Sequence, residues 1–212
     1  VLYIYPSLKD YETGFITELE AKSEQASARS HALAIANCKY RKVLVNGHWF
    51  SRVPWPNRVK TLAHEMTHIA EFQLGNWGCI APHAWLTEGF AHWSAYKVVE
   101  KLGLDTFAAA RDEFIQNIAD FKFGRTLPQL SRLASPADWD YSARSLGLES
   151  TYAQAFLAVD YLIERKGLSA VLNYFALFER SRDRAENFRT AFDEDVSVFD
   201  ADFGAHLKKI LM

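Results

Sequence analysis

Residues 60–72 read KTLAHEMTHIAEF and residues 85–93 read WLTEGFAHW, and these two strings decide how the rest of the chain is read. The first contains His64-Glu65-Met66-Thr67-His68, an HExxH pattern, with Leu62, Ile69 and Phe72 on flanking faces of a predicted helix. A helix turns roughly 100° per residue, so positions four apart differ by about 40° and share a face. Both imidazoles can then reach one ion from one side, and neutral imidazole is a good zinc ligand. Glu65 sits beside them, where a carboxylate can take a proton from a zinc-activated water. Catalytic zinc usually keeps three protein ligands and one open position. Glu88, twenty positions after His68, is the candidate third ligand, because a helix–loop–helix can fold the second string back onto the first. Alone, a Glu near a helix start reads as a capping residue; beside HExxH it reads as a ligand. His83, fifteen positions after His68, is the alternative ligand. His92 stands one turn after Glu88 on the same face, where it could orient a ligand, compete as one, or simply pack beside Trp93.

Working outward, VLYIY (1–5) reads as a strand and residues 8–25 as a helix with apolar groups at helical spacing. Residues 31–37 and 40–46 read as strands, with Asn46-Gly47 as a turn and a short return strand starting at 48–50. Two prolines in VPWPN make a loop of 53–57, so the motif helix is expected from Asn57 to Leu74. The string GNWGCIAP (75–82) is a loop, and a helix follows over 83–101. Further helices are expected over 105–120, 149–165, 169–180, 184–192 and 200–211, with an irregular stretch over 121–147 broken by Pro128 and Pro136. Strands early and helices late, without internal repeats, predict one α+β domain over 1–212: a small mixed sheet within about 1–75 and a helical part over about 76–212.

At 212 residues the chain can bury a large core, and its 49% apolar and 24% charged composition is that of a globular protein. A net charge of −2 with no basic stripe argues against a nucleic-acid partner, and no apolar run reaches the length of a membrane span. Cys38 and Cys79 lack zinc-type spacing; they read as buried thiols, with one disulfide as the alternative. The start at Val1 rather than Met suggests processing, which leans the expected compartment towards the extracytoplasmic or secreted side.

HEMTH followed by WLTEGFAHW resembles the HExxH…E pattern of the gluzincin metallopeptidases, which include the thermolysin-like enzymes. The W-L-x-E-G-x-A string is similar to the second motif of peptidase MA-like domains within that group. YAQAFLAVDYLIERKG (152–167) and FDADFGAHLKKIL (199–211) resemble the group's C-terminal helices. The resemblance implies a zincin-like fold, one zinc ion held by His64, His68 and Glu88, Glu65 as general base, and hydrolysis of a peptide or protein substrate. It also implies a Tyr or His from the helical half as oxyanion stabiliser; Tyr152 is the candidate, with Tyr141 and His92 as alternatives. Zincins commonly pair an edge strand with extended substrate, and Val43, Leu44 and Val45 are the expected positions. Two features depart from the pattern: His92 stands where relatives often carry an acid, and no aminopeptidase signature of the GAMEN kind is present. Rival readings are a zincin-like binding domain with little or no turnover, and a zinc hydrolase of a non-peptide bond.

Overall fold

The structure, a computed structural model, describes residues 1–76, 82–121 and 127–211. Strands β1 (Leu2–Tyr5), β2 (Ala34–Asn37) and β3 (Lys42–Asn46) form a mixed sheet in the order β1-β3-β2. β1 runs parallel to β3, with Leu2 opposite Val43 and Tyr5 opposite Asn46. β2 runs antiparallel to β3, with Ala34 opposite Val45 and Asn37 opposite Lys42. Successive side chains of a strand point to opposite faces, and β3 is buried on both. Leu44 joins Tyr11, Phe15 and Ala26 under helices α1 (Leu8–Leu19) and α2 (Ser23–Ala28), while Val43 and Val45 belong to the main core.

Helix α3 (Gly47–Phe50) replaces the expected return strand. Asn46 is drawn inward, its Nδ2 donating to Ser30 O at 2.8 Å, and a Cβ at Gly47 would come within 2.6 Å of Tyr5 O. The glycine is needed for close approach of the chain to β1, not for a hairpin. Helix α4 (Trp55–Gly75) carries HExxH and starts inside the supposed VPWPN loop, with Pro54 as its cap and Pro56 in its first turn. Proline is well suited to a first helical turn, where its missing N–H has no intrahelical partner to lose.

Helices α5 (Ala84–Lys101), α6 (Phe107–Phe121), α7 (Pro136–Leu146), α8 (Leu148–Lys166), α9 (Leu168–Leu177), α10 (Arg184–Phe192) and α11 (Val196–Ile210) follow. The fold is therefore mostly helical with a small N-terminal mixed sheet. A short 3-10 turn at Leu130–Leu133 and α7 order much of the stretch expected to be irregular. Residues 122–126 of that stretch, and 77–81 of the expected 75–82 loop, lie outside the described residues. Cys38 is disulfide-bonded, which corrects the buried-thiol expectation; Cys79 is outside the described residues. Among the described residues no helix is long and apolar enough to cross a membrane.

Helix α8 runs through the middle of the helical half, with Ala153 to Asp160 all buried. Its one buried carboxylate, Asp160, is paired with Arg111 Nε at 2.9 Å and Trp93 Nε1 at 3.1 Å, so α5, α6 and α8 share one polar knot. Helix α5 reaches α8 at Gly89, where a Cβ would overlap the Ala155 carbonyl group and lie 2.8 Å from Val159 Cγ2. Gly89→Ala should therefore force α5 and α8 apart and cost about 1–3 kcal/mol, as overpacked cores do. Denaturant unfolding measures this; a wild-type midpoint would show that the contact does not depend on the missing Cβ.

Candidate metal centre

Helix α4 presents His64 and His68 on one face, as their spacing requires, and α5 packs across it with Glu88 towards them. The His64 and His68 Nε2 atoms are 3.0 Å apart. Glu88 Oε2 lies 3.4 Å from His64 Nε2 and 3.7 Å from His68 Nε2. Zinc bonds of about 2.0–2.2 Å in tetrahedral geometry separate neighbouring donor atoms by roughly 3.3–3.5 Å. The three measured edges straddle that value, so this group could hold a metal ion.

The outer atoms prepare the inner ones. His68 Nδ1 lies 2.9 Å from Glu71 Oε2, and Glu71 is fully buried. A carboxylate there holds the proton on Nδ1 and leaves the Nε2 lone pair for a metal. His64 Nδ1 lies 3.0 Å from His92 Nδ1. With a metal ion on its Nε2, neutral His64 would donate its Nδ1 proton and neutral His92 would accept it. Burial, reinforced by His64, pushes the His92 pKa well below its usual value, which suits an acceptor. His92 stacks on Tyr152, with ring centroids 4.3 Å apart, and Tyr152 donates its hydroxyl to Glu88 Oε2 at 3.1 Å.

The electrostatics favour a cation. Burial alone would raise the Glu88 pKa, but His68 and His64 outweigh it and hold the carboxylate well below its usual range. Burial alone would lower the His68 pKa, yet Glu88 and Glu71 hold it well above. A buried carboxylate, Glu71, and a half-buried one, Glu88, around these imidazoles make a place where positive charge is stabilised, whether a proton on His68 or a metal ion in its stead.

Glu65 lines a cavity of about 550 Å³ together with His64, His92, Tyr152, Leu33 and Ala34. Glu65 Oε2 accepts the Ala36 N–H at 2.5 Å. The sheet order corrects the expectation that residues 43–45 form an edge strand. Val43, Leu44 and Val45 lie in the central strand, paired on both sides and buried. The edge nearest the site is β2: Leu33 O accepts from Asn46 N within the sheet, while the Ala36 N–H points outward to Glu65.

Two alternative residues fall elsewhere. His83 is buried against Tyr174, whose hydroxyl meets its Nδ1 at 2.7 Å, and burial lowers its pKa to about 4. It caps α5 and stands outside the ligand group. Tyr141 lies on the outer side of α7 and is 74% exposed. Sequence reasoning missed Glu71, although its signal was present: a carboxylate three residues after His68 shares that face of the helix.

Replacing an outer partner of a metal-ligating histidine typically weakens metal binding 10–100-fold. Glu71→Gln should do so here, read as competition with a chromophoric chelator. An unchanged zinc affinity would mean that His68 needs no carboxylate to orient it.

No protein-family model, curated protein or solved structure matches this chain.

Proposed function

We propose that this chain is a zinc-dependent peptidase of the gluzincin kind, with a zincin-like fold and one zinc ion at His64, His68 and Glu88. The observation that carries the reading is the convergence of two imidazole nitrogens and one carboxylate oxygen at 3.0, 3.4 and 3.7 Å, beside a further carboxylate on the cavity wall. Three protein donors are the ligand count of catalytic zinc sites; structural sites fill all four positions.

Zinc in such a site lowers the pKa of water and polarises a carbonyl oxygen. Glu65, one residue on from His64 and on the cavity wall, takes the proton of the attacking water. It then hands that proton to the departing amine. The Ala36 N–H steadies the Glu65 carboxylate at the sheet edge. Glu71 and His92 keep the two imidazoles in the tautomers that face the centre. Burial, with Glu88 adding to it, raises the Tyr152 pKa well above the usual value, so its hydroxyl keeps its proton. That proton is available to a developing oxyanion beside Glu88. The outward edge of β2, in place of β3, is the strand against which an extended substrate lies.

Glu65→Gln should lower kcat by at least about 10²–10⁴-fold, the scale of general-base catalysis, while zinc content stays stoichiometric. Elemental analysis and cleavage of unfolded casein measure both. Wild-type turnover in that variant would remove Glu65 from the mechanism. Stoichiometric zinc without any chelator-sensitive cleavage in the native protein would leave a metal-binding domain.

A further inference from the structure

The cavity beside the metal group holds a cation that the reaction scheme does not use. Lys60 lies four residues before His64 on α4, on the same helical face, and lines the cavity. It is half-buried, and its Nζ donates to Tyr96 Oη at 3.1 Å while lying 4.9 Å from the centroid of the Tyr96 ring. Tyr96 is itself buried, so the ammonium is held against a fixed wall. Among the described residues no carboxylate is ion-paired with Lys60; Lys9, Lys22, Lys101, Lys208 and Lys209 share that property but are exposed, whereas Lys39, Lys42, Lys97 and Lys166 have such partners. Of the carboxylates that line the cavity, Glu65 is engaged by the Ala36 N–H, while Glu113 and Glu149 are exposed, and solvent screens charges of that kind. A half-buried ammonium bound only to a neutral phenol retains most of its capacity for an anion.

We infer that Lys60 makes this cleft selective for peptides bearing a carboxylate within one or two residues of the bond presented to His64, an inference that rests on the peptidase reading. Residues one turn apart on a helix have Cβ atoms about 5–6 Å apart. An extended peptide advances about 3.3–3.6 Å per residue. The ammonium therefore meets substrate groups one or two residues from the reacting carbonyl. The carboxylate is either an Asp or Glu side chain or the free C-terminus of a short substrate.

Matched peptide pairs separate these sources. One set exchanges Glu for Gln at each position within two residues of the cleaved bond; the other exchanges a C-terminal acid for its amide. With the zinc-loaded protein, kcat/KM should favour the charged member of one set by about tenfold or more, since a hydrogen bond to a charged group contributes about 1.5–3 kcal/mol. The set that shows the preference names the source. Lys60→Met should bring the ratio to about one, Lys60→Arg should keep it, and Lys60→Glu should turn it towards the uncharged member. No preference in the wild type, or a preference that survives Lys60→Met, overturns the inference.

Calorimetric binding of the same pairs to the Glu65→Gln variant separates this inference from the reading beneath it. Carboxylate-dependent binding that needs Lys60, without cleavage by the wild type, removes the peptidase and keeps Lys60 as an anion-binding residue. Cleavage without any acid–amide difference removes the role of Lys60 alone. Neither cleavage nor carboxylate-dependent binding removes both.

Discussion

Helix α5 is gripped from two sides at consecutive residues, and the site exists because of it. Glu88 faces the imidazoles of α4, and Gly89 faces the backbone of α8. Without a Cβ at 89, the Ala155 carbonyl settles against α5. Tyr152, nearly one turn earlier on α8, is thereby brought to Glu88. The Glu-Gly dipeptide is thus one device with two functions, one chemical and one steric. The knot of Trp93, Arg111 and Asp160 holds the same helices one turn further on. Asp160 is buried and Arg111 partly so, and pulling them apart would leave the carboxylate uncompensated, so this knot resists sliding of α5 along α8.

Within that clamp the polar groups solve a problem of desolvation. Glu71 and Glu88 are carboxylates taken largely out of water, which is costly unless positive charge or donors meet them. His68 lies between them, and Tyr152 adds a donor on the Glu88 side. Among the described residues Glu71 Oε1 has no hydrogen-bond partner, although it is buried, and the carboxylate's bonding there is directed at His68. That single-minded contact is what an orienting residue for a metal ligand requires.

Much of this was legible in the sequence because it depends on short-range spacing. His64, Glu65 and His68 are placed by helical geometry alone, and Glu88 by one helix folding back on another. The same arithmetic could have found Glu71. Features set by long-range packing were not legible. Asn46-Gly47 has the composition of a hairpin turn, yet Tyr5 of β1 decides that the glycine opens α3. Two prolines suggested a loop, but they stand where a helix begins and cost it nothing. Strand order is equally invisible to a local reading: KVLV is apolar because it is central, and the less apolar AIAN forms the edge beside Glu65. The fate of His83 was open for the same reason, since Tyr174, far along the chain, claims its ring.

The remaining departure from the expected pattern is His92, and its consequence is one of charge. Two neutral imidazoles and one carboxylate give a ligand set of charge −1, leaving +1 on a bound dication before the surroundings are counted. Burial lifts the Glu71 pKa to about 7, so near neutral pH Glu71 supplies part of a negative charge behind His68. A carboxylate at position 92 would supply another behind His64 and bring the centre below neutrality. A neutral His92 keeps His64 oriented through the same hydrogen bond without that second charge. Its stacking on Tyr152 then does what a carboxylate could not, packing the tyrosine ring against the site while the hydroxyl reaches Glu88. Orientation of the first histidine and placement of the tyrosine are thus joined in one side chain, and a zinc ion in the proposed site would retain more of the electrophilic charge on which zinc hydrolysis depends.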